Sequence, residues 1–277
     1  MEHALTPEPE QVDFLGLLDD IYVRHGIDFR EYAPASLKRR LQRRVEAEHV
    51  ADVAELRGKV GGDDACMERL LLDFSIDVTS IFRDPGFYLV LRETVVPWLR
   101  TFPFIRIWHA GCATGEEVYS MAILLHEVGL LSKVRLYATD MSEAVLPKAR
   151  TGIFPLDKMK EYTRNYQAAG GERSFSDYYT ARYDGALFNS DLAHGVVWAQ
   201  HNLATDASFN EFQVILCRNV MIYFNRTLQN RVQTLLYQSL ATTGVLGLGD
   251  KESLRFTPNE DCYRPLDEHL RIYQKTR

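Results

Sequence analysis

Apolar residues recur at helical spacing through the first 75 positions. Phe14, Leu17, Leu18, Ile21 and Tyr22 form one stripe, and Leu37, Leu41 and Val45 form a second. Pro34 with Ser36 marks the start of the second helix, and Gly61-Gly62 punctuates the stretch further on. No strand pattern interrupts it, so residues 1–75 read as a small all-helical domain. From residue 76 the texture changes. Asp84-Pro85 reads as an N-cap followed by proline at the first helical position. The helix it opens turns Phe87, Leu91, Val95 and, off period, Leu99 toward a core. Beyond Pro103, short apolar runs at 105–110, 134–139, 196–200, 214–217 and 245–248 alternate with helical segments. Runs this short, bounded by turn residues, predict a parallel sheet buried on both faces. A last pair, near Tyr263 and over 270–274, predicts a closing antiparallel hairpin.

One segment breaks the alternation. Residues 152–196 are too many for a simple connection in an α/β unit. They carry Gly170-Gly171, Asp184-Gly185 and the aromatics Tyr162, Tyr166, Phe175, Tyr178, Tyr179, Tyr183 and Phe188. The reading is a helix followed by a small antiparallel β subdomain, inserted at about 154–195 into an α/β domain that covers 76–277.

Composition narrows the class without changing this picture. At 277 residues, 46% hydrophobic and 25% charged, the chain has the makeup of a water-soluble globular protein with a substantial core. The N-terminal MEHALTPEPEQVDF has no basic region leading into an apolar run, which predicts no signal peptide. No stretch is long enough to insert in a bilayer. Cys66, Cys112, Cys217 and Cys262 lack CxxC spacing, so the expectation is free thiols in a reducing cytoplasm and no metal site. A net charge of −6 argues against nucleic acid as a partner.

The candidate chemistry lies where strands meet helices. The first strand runs into His109-Ala110-Gly111-Cys112-Ala113-Thr114-Gly115-Glu116-Glu117. Small residues at 111, 113 and 115 let backbone approach a ligand at the carboxyl end of a sheet strand. There is no GKS or GKT and no full GxGxxG. Thr114 and Glu117 also have capping-box spacing, so Glu117 serves either the helix start or a ligand. The second strand ends in Ala138-Thr139-Asp140, with Ser142 the expected N-cap of the next helix; a carboxylate there can accept both hydroxyls of a ribose. Together these features indicate a nucleoside cofactor.

Four segments make the resemblance specific: Asp77–Pro85 (DVTSIFRDP), the Gly111–Ser120 loop and helix, Ala138-Thr139-Asp140, and Cys217–Phe224 (CRNVMIYF). Asn202-Leu203 and Gly249-Asp250-Lys251-Glu252-Ser253 agree with them. Over nearly its whole length the chain resembles the chemotaxis receptor methyltransferase (CheR) family, a cytoplasmic signal-transduction family. The resemblance implies S-adenosylmethionine as cofactor, with S-adenosylhomocysteine as product, and a central sheet of class I methyltransferase type. It also implies cofactor contacts at Asp77, Thr79, Arg83, Glu117, Asp140, Asn202, Leu203, Arg218 and Asn219, beside the close approach at Gly111. Asp77 departs from the family's usual Asn and can accept but not donate; Ile81 stands where an aromatic is common.

The implied reaction is methyl esterification of glutamate side chains on chemoreceptors or related signalling proteins. Arg83 and Tyr223 match the family's proposed active-site arginine and tyrosine. For Arg83 the plain alternative is a salt bridge with Asp84 or Asp77, and for Tyr223 a packed aromatic. An Asp/Asn-Pro-Pro-Tyr/Phe segment, which serves many amine methylases, is absent after the fourth strand. Lys38, Arg39, Arg40, Arg43 and Arg44 cluster on one helix, with 39, 40, 43 and 44 on a shared face, which suits Glu-rich receptor methylation helices. Some family members bind a receptor's C-terminal pentapeptide as an extra strand on the inserted sheet. Here the Asp184-Gly185-Ala186 loop is short, which predicts an enzyme independent of that tether; the chain is separately expected to be a monomer. The rival readings are a non-catalytic S-adenosylmethionine sensor or scaffold, and a class I methyltransferase with another carboxylate, a small molecule or RNA as substrate.

Overall fold

In the first unit, four helices turn their apolar stripes inward: α1 (Pro9–His25), α2 (Pro34–Ala47), α3 (Val53–Gly62) and α4 (Asp64–Phe74). The computed structural model describes residues 9–25, 27–74 and 79–277. Phe14, Leu17, Leu18, Ile21, Leu37, Leu41 and Val45 are all buried. Tyr22 is not; it lies on the outer side, under the Arg30 guanidinium at 4.0 Å. Proline supplies the start of α2, standing first in the helix after Ala33. Asp52 caps α3 by accepting the Glu55 N–H at 2.9 Å. This unit comprises residues Met1–Ile76 together with Tyr223–Gln229.

The second unit, Asp77–Ile222 and Asn230–Arg277, is an α/β domain. It opens with α5 (Pro85–Val90), one wide π-type turn over Leu91–Val95, and α6 (Val96–Leu99). Pro97 has no N–H to return to the preceding turn, and the extra residue in that turn absorbs the break. This is why Leu99 falls off the helical period yet is still buried.

Then follow β1 (Ile105–Ala110), α7 (Glu116–Glu127), β2 (Val134–Asp140), α8 (Val145–Thr151), β3 (Ile153–Pro155), α9 (Met159–Ala168), β4 (Tyr179–Arg182), β5 (Gly185–Phe188), α10 (Ser190–Ala193) and β6 (Val197–Gln200). The chain ends with β7 (Phe212–Cys217), α11 (Arg226–Ser239), β8 (Leu240–Leu248), β9 (Tyr263–Asp267) and β10 (Ile272–Lys275).

Seven strands form one sheet in the order β6-β2-β1-β7-β8-β10-β9. The first five are parallel, and β10 runs antiparallel to both β8 and β9. Every residue of β7 is buried, as a central parallel strand covered on both faces requires. The strand order reverses between β1 and β7, so a crevice opens beyond their carboxyl ends. Strand β8 begins five residues before its apolar run, and a register shift near Phe212 accommodates the early segment.

The insertion forms its own antiparallel sheet, β3-β5-β4. Tyr162, Tyr166, Phe175, Tyr178 and Phe188 pack beneath it, whereas Tyr183 at the hairpin tip is 97% exposed. The Glu127 carboxylate at the end of α7 collects the Tyr166 and Tyr178 hydroxyls and the Arg92 guanidinium, tying the insertion to the domain. Among the described residues no helix is long and apolar enough to cross a membrane.

Candidate functional site

The loop after β1 is folded against the end of β2. Gly111 and Cys112 both donate to the Thr139 carbonyl, at 2.8 and 2.9 Å. Gly111 has φ +81°, and a methyl group there would lie 2.5 Å from a Val220 methyl, so only glycine fits. Asp140 is buried at the end of β2 and clamps two loops. One carboxylate oxygen accepts the Ala113 N–H and the other the Ser142 N–H, each at 3.0 Å. Burial pushes this carboxyl up, against the pull of those bonds. Ser142 therefore donates its backbone N–H to Asp140 and does not cap α8, whose flanking residue is Ala144.

The capping box at the start of α7 does not form. Thr114 donates to Glu116 at 2.6 Å, and Glu117 turns instead to His109 Nδ1 at 2.8 Å and the Arg218 guanidinium at 3.3 Å. Burial raises the Glu117 carboxyl, but His109 and Arg218 outweigh it and hold the carboxyl below the usual range. Arg218, its side chain 3% exposed, also binds Asp84 at 2.6 Å and the Arg83 carbonyl at 3.4 Å, and lies 4.1 Å over the Phe87 ring. Its guanidinium thus joins the loop after β1 to the segment carrying Arg83.

Arg83 is half-buried between two residues in the left-handed region, Phe82 at φ +50° and Asp84 at φ +57°. Non-glycine residues hold that conformation only when their surroundings enforce it. Here the Phe82 N–H donates to Ser120 Oγ at 2.8 Å, and Asn165 on α9 donates to the Ile81 carbonyl at 3.0 Å. Ser80 binds Glu161, also on α9, at 3.0 Å. The Asp84 carboxylate makes no helix cap, because Arg218 takes it. Asp84, one of the two partners considered for Arg83 from sequence, thus binds Arg218; the other, Asp77, lies outside the described residues. Thr79 is half-buried beside Ser80.

The loop after β7 is organised by a residue that sequence reasoning left without a role. Glu252 is buried and accepts four backbone N–H groups, from Asn219, Val220, Met221 and Gly249, at 2.6–3.0 Å. Asn219 has φ +61°. The only sequence signal was a glutamate two residues beyond Gly249-Asp250, after an apolar strand. At the end of β6, Asn202 accepts the Ala204 N–H at 2.9 Å through its side-chain oxygen, and Leu203 is buried beside it.

Tyr223 belongs to the first unit, where the Arg40 guanidinium lies 4.9 Å over its ring and its carbonyl accepts the Ala33 N–H. The five basic residues of α2 do not share one solvated face. Arg40 is buried and donates to the Phe74 carbonyl at 2.6 Å; Arg44 pairs with Asp73 at 2.6 Å and Glu48 at 3.1 Å. Lys38, Arg39 and Arg43 are exposed. The helical period explains the split, since Arg40 and Arg44 fall next to the buried Leu37 and Leu41.

Two family models match the chain: the CheR methyltransferase SAM-binding domain over residues 77–267 and the CheR methyltransferase all-alpha domain over residues 13–75. The chain is 45% identical to a Pseudomonas putida protein named "Putative methyltransferase Cher3", covering 94% of this chain and 95% of that protein. It is 28% identical to a chemotaxis protein methyltransferase 2 of Vibrio cholerae, covering 91% of this chain and 93% of that one. A 104.1 kDa uncharacterized protein of Rhodobacter capsulatus is 28% identical over 97% of this chain, which accounts for 28% of that protein's length.

The residues present at the sheet edge fit S-adenosylmethionine. Gly111, where a side chain has no room, lets backbone approach a ligand, and the buried Asp140 and half-buried Glu117 carboxylates flank that loop. They offer acceptors to a ribose diol and to an ammonium group, both of which the cofactor carries. With its mostly parallel sheet, its N-terminal helical domain and both family models matched in order, the chain is a member of the CheR methyltransferase family and an S-adenosylmethionine-dependent methyltransferase.

Proposed function

We propose that the enzyme esterifies glutamate side chains on chemoreceptors or related signalling proteins, yielding a glutamate methyl ester and S-adenosylhomocysteine. The observation that carries this reading is Arg83, half-buried on a strained segment that Arg218 links to Glu117. Bound cofactor supplies a methyl group already activated on a sulfonium. A glutamate carboxylate, with an ordinary pKa of roughly 4.3, is ionised at neutral pH and needs no general base. What remains for the chain is to orient the acceptor and exclude water. Arg83 is assigned to hold one acceptor oxygen through a charge-assisted bond while the other faces the methyl group. On the cofactor side, Asp140 is assigned to the ribose diol and Glu117 to the ammonium. Asp77, Thr79, Gly111, Asn202, Leu203 and Asn219 complete the cofactor site. The Arg218 guanidinium is bound by the chain itself, which assigns it to holding the site together.

The name of the Vibrio relative, chemotaxis protein methyltransferase 2, supports a chemotaxis protein as substrate, and the exposed Lys38, Arg39 and Arg43 suit an acidic helix. The test is to incubate the protein with methyl-labelled cofactor and receptor signalling fragments, then release the label in base. Volatile methanol is expected, with kcat/KM flat from about pH 6 to 9 and falling only as the acceptor protonates below about pH 5. Base-stable label would point to amine methylation, and turnover absent with every fragment would favour a cofactor-sensing scaffold.

The inserted sheet is assigned no pentapeptide tether. Its β4–β5 hairpin turns on two residues, Tyr183-Asp184, because Gly185 and Ala186 already belong to β5. A fluorescent receptor-type C-terminal pentapeptide is expected to show no saturation up to about 100 μM, an affinity near the floor of specific recognition. Micromolar binding would reverse this assignment.

A further inference from the structure

His109 occupies the last turn-facing position of β1, completely buried. Its Nδ1 lies 2.8 Å from Glu117, and its Nε2 is buried without a hydrogen-bond partner among the described residues. An ionised carboxylate can only accept, so Nδ1 carries the proton of this bond. A buried polar atom left unpaired is uncommon and calls for a reason. Packing alone does not supply one, since an aliphatic side chain would fill the same place without stranding a nitrogen.

The reason lies in the other partner of Glu117. Arg218 stands 3.3 Å from the second carboxylate oxygen, while its closest bond, 2.6 Å, goes to Asp84. Glu117 therefore sits between the His109 ring and the Arg218 cation, with the shorter bond to His109. The two bonds take different carboxylate oxygens and leave the side chain 17% exposed. We infer that His109 is a positioning residue for cofactor binding, fixing the Glu117 carboxylate as a preformed acceptor for the cofactor's ammonium group. This rests on the assignment of Glu117 to that ammonium. Without His109 the carboxylate loses the shorter of its two bonds, and the oxygen that His109 fixes is no longer held in place. Preorganisation of this kind acts on affinity, because the bound geometry is already in place.

The experiment is calorimetric titration of S-adenosylhomocysteine into wild type, His109→Leu, His109→Asn, Glu117→Gln and the His109→Leu/Glu117→Gln pair. His109→Leu is expected to weaken binding about tenfold, the scale of one lost bond to a charged group. His109→Asn, whose amide nitrogen stands near the place of Nδ1, is expected to recover part of that loss. If His109 acts through Glu117, the double variant binds within about twofold of Glu117→Gln alone. Additive losses would make His109 a packing residue and overturn the inference, as would His109→Leu binding like wild type. Should His109→Leu fail to fold, Asn in place of His carries the test, and affinity equal to Glu117→Gln overturns it. Unchanged affinity in Glu117→Gln would remove the Glu117 assignment itself, a distinct failure.

Discussion

Replacing Arg83 with alanine is expected to lower kcat for methyl transfer by about 10²–10³ while S-adenosylhomocysteine binds within about threefold of wild type. The size follows from the role. A charged donor aimed at the acceptor contributes to a transition state in which both reacting groups must be held in line, and the cofactor alone cannot do this. The local structure supports a dedicated position: Phe82 and Asp84 on either side hold left-handed backbone, each a cost of about 1–3 kcal/mol. Ser120, Asn165 and Arg218 bind that segment from three directions. Arg83→Lys is expected to retain partial activity, because a point charge replaces a planar fork. A loss of less than about fivefold in Arg83→Ala would remove Arg83 from acceptor positioning, and a tenfold rise in Kd with unchanged kcat would assign it to the cofactor instead.

Glu252→Gln is expected to be the most destabilising conservative change in the second unit. The buried carboxylate satisfies four backbone N–H groups, two on each oxygen. A glutamine keeps one oxygen and turns an NH₂ toward the other pair, leaving two buried donors facing a donor. At about 1–3 kcal/mol for each of the two unsatisfied groups, the loss is about 2–6 kcal/mol. For a chain of this size that corresponds to a fall of roughly 4–24 °C in Tm. The same four bonds shape the backbone of Asn219 and Val220, and the Val220 side chain packs against Gly111. Cofactor affinity should therefore fall together with stability. Thermal denaturation with and without S-adenosylhomocysteine checks both, and a Tm within 2 °C of wild type would refute the role given to Glu252.

The periodicities of the chain carried most of the architecture. Buried parallel strands announced themselves as continuous apolar runs, and β1 begins and ends where its run does. The excess length of residues 152–196 announced an insertion, because α/β connections are short. The FRDP and CRNVMIYF segments pointed to the family because these runs of residues match it directly.

Partner choice among charges was not legible in the same way. Arg40 and Arg44 look like Arg39 and Arg43 in sequence, yet the helix buries the first two and exposes the second two. Thr114 and Glu117 have the spacing of a capping box, but His109 and Arg218, distant or separate in the chain, offer Glu117 better partners. Glu252 and Asn165 gained roles only from strands and helices brought beside them. Sequence by itself determined which segments become helix or strand, because that depends on patterns a few residues long. Tertiary structure alone decided which charge meets which, because a buried ion pair or carboxylate bond depends on distances between residues that the chain order leaves far apart.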